Sequence, residues 1–259
     1  MNTGISADKI GSGGIFESMR SYGREIFRLN EHINRLFESA KSLNIDIGYS
    51  KAEISDMVAA AFKEREIQDA YIRLSVSRGL SGKASVDILI NKCRIYPASL
   101  YREGVKAVTA VPEREAGSRV VSRTKSSDFL YGVLAKIEAR DLAVFETIVL
   151  TEYGMLAEGT VSNIFIVKKK KVFTPPAHIG ILKGVTRGVV FELAGGAGID
   201  ICERPLTRHD LYNCDEAFLT NTSVGIIPLT EANFRAIGGG RPGPVTKRLI
   251  EYFGRLTMS

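Results

Sequence analysis

The segment E-G-T-V-S-N-I-F-I-V-K-K-K-K-V-F-T-P-P (158–176), followed by G-I-L-K-G-V-T-R (180–187), decides how the chain is read. In its first half Ile164, Ile166, Val172 and Phe173 alternate on either side of four lysines. That pattern predicts a β-hairpin, because strands alternate faces with period two. The second half reads as a helix entrance: Thr186 stands just before Val189, Val190, Leu193 and Ala194, whose spacing is helical, and Gly195-Gly196 closes the run as a C-cap. A loop carrying Gly184 and a hydroxyl at a helix N-terminus suits an anion, since unpaired N–H groups and the positive end of the helix dipole meet there. An ordinary structural cap is the alternative reading of the same residues.

Outward from this segment, the 259 residues suffice for one large domain or two modest ones, with 44% hydrophobic and 25% charged residues, an ordinary soluble composition. The net charge of +6 is spread along the chain, and its one run, Lys168 to Lys171, reads as a solvated turn. No aromatic residues interleave with that run, so a nucleic-acid partner is not expected. Cys93, Cys202 and Cys214 show no CxxC spacing and no nearby histidine pair, which argues against structural zinc or a disulfide framework and for a reducing cytosol. No signal pattern opens the chain, and no apolar run approaches the roughly 20 residues that span a bilayer. A cytoplasmic protein without a metal is the expectation.

The first 14 residues read as irregular. Ile15 to Tyr22 and Glu25 to Arg28 flank a turn at Gly23, predicting a hairpin. Asn30 is read as the N-cap of a helix buried through Ile33, Leu36, Phe37 and Ala40, with His32 a structural histidine on its margin. Ser50 and Glu53 have capping-box spacing ahead of Ile54, Met57, Val58, Ala61 and Phe62. In Y-I-R-L-S-V-S-R (71–78), Ile72, Leu74 and Val76 face one way and Tyr71, Arg73, Ser75 and Ser77 the other; that polar face is either wet or a pocket wall. Further strands are expected at 85–90 and 104–110. The stretch 112–122, rich in Glu, Arg, Ala, Gly and Ser, is read as a linker, which gives an N-terminal α+β domain (1–111) and a C-terminal domain (123–259). In the latter, Ser126 or Ser127 caps a helix containing Phe129, Leu130, Val133, Leu134 and Ile137. Lys125 sits at that helix's entrance, where its charge opposes the dipole; an exposed lysine is the default, yet a locally unfavourable choice is where function tends to hide. Strands at 146–150, 217–219 and 224–227, a capping box from Thr207 to Asp210, and a last helix opened by Pro244 complete the reading.

A lysine, an acid 33 residues later at Glu158 and a phosphate-type loop ending in Thr186 are the groups that pyridoxal phosphate chemistry asks for. The amine forms a Schiff base and moves the proton, the acid keeps the pyridine nitrogen protonated, and the dipole-rich loop holds the phosphate.

The segments F-E-S-M-R (16–20), F-R-L-N-E-H-I-N-R-L-F-E-S-A-K (27–41), Y-I-R-L-S-V-S-R-G (71–79), V-L-A-K-I-E-A (133–139), A-E-G-T-V-S-N-I-F (157–165), T-P-P (174–176), I-L-K-G-V-T-R (181–187), D-E-A-F-L-T-N-T (215–222) and G-P-V-T-K-R-L (243–249) resemble the class IV aminotransferase family in order, from about residue 15 onward. That family, fold type IV of the pyridoxal-phosphate enzymes, includes branched-chain aminotransferases, D-amino-acid aminotransferases and 4-amino-4-deoxychorismate lyases. The resemblance implies an α+β fold with a small N-terminal domain, a larger pseudo-barrel C-terminal domain and an obligate homodimer. It makes Lys125 the cofactor-bearing lysine, Glu158 the acid paired with the pyridine nitrogen, and Arg35 a phosphate ligand. Leu182 becomes the ring-packing residue, Val185 and Thr186 the phosphate-cradling turn, and Thr222 a further phosphate contact.

Departures bear on the subgroup. The chain reads G-S-G-G-I-F-E where the family usually has a strand and G-D-G-V-F-E, so the first sheet is expected to lack an edge strand. Phe129 stands where branched-chain enzymes carry a tyrosine reaching the cofactor. Ser18 and Phe129 favour the lyase, which releases 4-aminobenzoate and pyruvate. Tyr71 and Arg73 resemble substrate-side residues of branched-chain enzymes and favour transfer of an amino group from a small amino acid to a 2-oxo acid. A non-catalytic binding relative is a third reading, opposed by the retained Lys125, Glu158, Arg35 and Thr186.

Overall fold

A computed structural model of the chain describes residues 14–78, 84–111 and 144–258. Its described residues divide into two compact units, one running to Arg94 and the other starting at Ile95. The reason is the strand β5 (Val105–Ala110), which pairs in parallel with strands of the second unit. The expected linker and the Lys125 helix with Phe129 lie outside the described residues.

The first unit is a four-stranded antiparallel sheet, with β1 (Ile15–Tyr22), β2 (Glu25–Ile26), β3 (Ala70–Arg78) and β4 (Ala84–Lys92) in the order β2-β1-β3-β4. Gly23, at φ 59°, makes the β1–β2 turn that its lack of a Cβ permits. Helices α1 (Leu29–Ser42) and α2 (Lys51–Lys63) bury Ile33, Leu36, Ala40, Ile54, Val58 and Phe62 with Ile72, Leu74 and Val76 of the sheet in one core. Ser50 and Glu53 form the expected capping box. Asn30 is not a cap. The helix already starts at Leu29, after Arg28 turns through the left-handed region at φ 56°, and Arg28 pairs with Glu31 at 2.8 Å.

The second unit carries β5, β6 (Glu146–Leu150), β7 (Leu156–Gly159), β8 (Asn163–Lys168), β9 (Lys171–Thr174), β10 (Ile201–Glu203), β11 (Glu216–Asn221), β12 (Gly225–Ala232) and β13 (Arg235–Ala236). Among the described residues these form one sheet in the order β10-β9-β8-β11-β12-β5-β6-β7, with β13 on β12. The predicted hairpin is β8–β9. Its two central turn residues, Lys169 and Lys170, both take positive φ (50° and 63°), the geometry that two-residue hairpin turns require. For lysine this is strained, and Asp215 offsets it by accepting the Lys169 N–H at 2.6 Å and pairing with Lys168 at 3.3 Å.

Strand β8 is apolar almost throughout because it is buried on both faces. Ile164 and Ile166 join the core with Ala217 and Leu219, while Phe165 stacks on Phe218 (4.8 Å between centroids) and meets Phe191 of helix α4 (Val185–Gly196) edge-on. Helix α3 (Ala98–Glu103), unanticipated from sequence, has no side-chain cap to announce it. Gly195 and Gly196 belong to α4; the C-cap is Ala197, and Gly198 takes the positive φ of 65°. Thr207 and Asp210 cap helix α5 (Arg208–Tyr212) as expected, and Pro244 opens helix α6 (Pro244–Met258). Glu216 accepts the α6 amides of Val245 (3.1 Å) and Thr246 (2.7 Å), so an acid far upstream in the chain caps that helix. No helix among the described residues is long and apolar enough to cross a membrane.

The thiols differ sharply in environment. Burial pushes Cys214 up to about 12, whereas Cys202 is partly exposed on β10. A raised value keeps the thiol protonated, leaving about 10⁻⁴ of Cys214 as the reactive thiolate at pH 8. Iodoacetamide at pH 8 is therefore expected to alkylate Cys202 and spare Cys214 in the native protein, as peptide mass mapping would show; equal labelling would contradict the burial.

Candidate active site

Glu158 lies near the end of the short strand β7, and a tight turn returns the chain into β8 at Asn163. Glu158 Oε2 accepts the Leu182 N–H at 3.0 Å and Asn163 Nδ2–H at 3.2 Å. The same amide of Asn163 donates to the Leu182 carbonyl at 2.9 Å. Acid, amide and loop therefore form one closed knot in which the Glu158 carboxylate has a fixed orientation. Asn163 was not singled out from sequence, although it closes the quoted motif A-E-G-T-V-S-N.

Two residues beyond Leu182 the chain enters α4. Its N-cap is Gly184, not a hydroxyl residue, and Thr186 lies inside the first turn, buried at 5% exposure. A Cβ at Gly184 would stand 2.1 Å from Asn163 Oδ1, so glycine is required for this loop to close on Asn163. With no capping side chain, the amides of Val185, Thr186 and Arg187 meet no acceptor among the described residues. The helix thus presents bare N–H donors at its positive end. Thr220, 1% exposed, pairs across the sheet with Asn163 and has a hydroxyl without a partner among the described residues. Thr222 lies two residues further on, at the same end of the sheet, in a turn where Asn221 Oδ1 accepts the amides of Ser223 (2.8 Å) and Val224 (2.9 Å). Among the described residues, helix amides without an acceptor and an unpaired buried hydroxyl fit a phosphate, and an oriented carboxylate acceptor fits a protonated ring nitrogen.

In the first unit Ser18, Tyr71 and Arg73 share the sheet face turned away from the helices, with Ser18 opposite Arg73 in register. Ser18 Oγ and the Tyr71 hydroxyl are 2.8 Å apart, and the Arg73 guanidinium stacks 4.0 Å above the Phe16 ring. Arg35 belongs to the other face. Its Nε and Nη2 donate to Glu17 at 2.7 and 2.6 Å, and His32 Nδ1 lies 2.8 Å from the same carboxylate. His32 is thereby the buried structural histidine expected. Glu17 was missed as the anchor of Arg35, although it sits in the quoted F-E-S-M-R.

The family model for class IV amino-transferases matches residues 14–232, and the chain belongs to that family. A Methanocaldococcus jannaschii protein provisionally named a branched-chain-amino-acid aminotransferase is 42% identical over 93% of this chain and 85% of its own length. The branched-chain-amino-acid aminotransferase of Pseudomonas aeruginosa is 36% identical (91% and 81% covered), and the D-alanine aminotransferase of Bacillus licheniformis 32% (91% and 84%). A crystal structure of the T.th. branched-chain amino acid aminotransferase with pyridoxamine 5'-phosphate superposes with a TM-score of 0.89 at 28% identity, covering 95% of this chain and 85% of that one. The protein is an enzyme of the aminotransferase type with the α+β architecture of fold type IV.

Proposed function

We propose that the chain is a pyridoxal-5'-phosphate-dependent aminotransferase that moves an amino group from a branched-chain or related small amino acid to a 2-oxo acid, working as a cytoplasmic homodimer. The observation that carries this reading is the Glu158 carboxylate locked by Leu182 N–H and Asn163 beside the uncapped start of α4. Bound pyridoxal phosphate supplies an electron sink for the charge left when the substrate α-proton departs.

The chain's residues then divide the work. Lys125 holds the cofactor and carries the proton away and back as general base and acid. Glu158 keeps the ring nitrogen protonated. Val185, Thr186 and Thr222 hold the phosphate together with Arg35, whose guanidinium Glu17 orients, and Leu182 packs on the ring. Ser18, Tyr71 and Arg73 contact the substrate, with the Ser18 and Tyr71 hydroxyls 2.8 Å apart.

Mixing the reconstituted protein with L-leucine, L-valine or D-alanine without an oxo acid tests the reading. The visible cofactor band is expected to convert to the pyridoxamine form and to return on adding 2-oxoglutarate. Failure with every amino acid, together with release of pyruvate and 4-aminobenzoate from 4-amino-4-deoxychorismate, would establish the lyase instead.

A further inference from the structure

Glu146, at the start of β6, is 2% exposed and stands outside the residues that would hold cofactor or substrate. Its Oε1 accepts the amides of Thr147 (3.0 Å) and Thr160 (3.2 Å) and the Thr160 hydroxyl. Its Oε2 accepts the amide of Val161 (3.4 Å) and the Ser162 hydroxyl (2.8 Å). All of these donors except the Thr147 amide lie between Glu158 and Asn163, the two residues whose side chains close the knot on Leu182. The turn is compressed onto the carboxylate: Gly159 donates its N–H to Ser162 O at 2.6 Å, and a Cβ on Gly159 would stand 2.2 Å from Ser162 Oγ and 2.9 Å from Glu146.

We infer that Glu146 is a positioning residue, whose buried carboxylate sets the shape of the 159–162 turn and thereby the aim of the Glu158 carboxylate at the cofactor ring. The inference rests on the function proposed above. A neutral hydrophobic or hydroxyl residue at 146 could fill the space, but only a two-oxygen acceptor satisfies donors on both sides of the turn. Once that acceptor is gone, its buried donors compete for water, and the turn opens to admit it. Glu158 and Asn163 are the turn's two ends, so their spacing to Leu182 changes first.

Glu146→Gln tests this because its amide group turns one acceptor into a donor facing donors. Thr174→Val serves as the control, since it removes a buried hydrogen bond of the same sheet, Thr174 Oγ1 to Ile164 O at 2.8 Å, without touching the Glu146 donors of the 159–162 turn. Each variant is titrated as apoprotein with pyridoxal phosphate by fluorescence, its turnover is measured, and its urea midpoint is recorded. Glu146→Gln is expected to weaken cofactor binding and lower kcat by roughly ten- to a hundredfold, the worth of hydrogen bonds to a charged group, with the amino-acid KM nearly constant. Thr174→Val should change neither even if its midpoint falls equally. Affinity and kcat of Glu146→Gln within twofold of Thr174→Val would overturn the inference. Should Glu146→Gln not fold, Ser162→Ala removes one donor and is expected to weaken binding severalfold, unchanged binding again overturning the inference. Glu158→Gln run in parallel separates the two levels: if it too is silent, the proposed site is wrong, and if it alone responds, only the role of Glu146 is.

Discussion

Glu158→Gln is expected to lower kcat by roughly 10²–10³-fold, the usual effect of removing one fixed electrostatic group from a water-poor site, while changing stability by less than about 1 kcal/mol. The two effects separate because of the local geometry. A glutamine can keep a carbonyl oxygen at the Oε2 position and still accept from Leu182 N–H and from Asn163, at 3.0 and 3.2 Å in the parent. The knot between β7, β8 and the α4 entrance survives, and what disappears is the charge. In the proposed chemistry that charge holds the proton on the ring nitrogen, and a neutral amide cannot do so. Steady-state rates with L-valine and 2-oxoglutarate beside a urea transition would show the split. A kcat within threefold of the parent would remove Glu158 from the reaction.

The hairpin and helix around this site could be read from residues alone, for a definable reason. The 158–187 stretch announces itself because its hairpin and helix have opposite periodicities meeting at a glycine loop, and periodicity is a local signal. The capping boxes at Ser50 and Thr207 were equally legible, each device lying within four residues. What escaped was decided across the fold. Arg28 enters α1 at a positive φ that no arginine advertises, which displaced the expected cap at Asn30. Strand β5 looks the same whether it closes the first unit or joins β12 and β6, and only pairing tells which. The partners of Glu146 and Glu216 lie about 14 to 30 residues away in sequence, beyond any motif window. A buried acid in F-E-T-I-V-L is a flag without an address; the fold supplies the address, and in both cases it is a turn or helix start whose backbone amides need an acceptor.

Glu17→Ala is expected to cost about 3–5 kcal/mol of stability in the unit built from β1–β4 with α1 and α2, the loss typical when one partner leaves a buried ion pair. The Glu17 side chain is fully buried and that of Arg35 only 10% exposed, so water cannot readily replace the carboxylate that takes the Arg35 Nε and Nη2 bonds. His32, 2% exposed, loses its acceptor in the same step. The cost thus comes from the charge left behind more than from the pair's own attraction, since desolvation had already consumed most of that attraction. An internal comparison fixes the interpretation. Arg28 and Glu31, at the entrance of the same helix, make a contact of similar length, 2.8 Å, but with side chains 26% and 44% exposed. Glu31→Ala should therefore cost less than about 1 kcal/mol, because solvent screens the pair and rehydrates the arginine. Native-state hydrogen exchange on the β1 and α1 amides reads both variants within the unit concerned. Glu17→Ala is expected to lose protection there by roughly two to four orders of magnitude and Glu31→Ala by less than one. Equal losses would mean that Arg35 finds another acceptor or turns to solvent, and that its buried pairing with Glu17 does not hold α1 on the sheet.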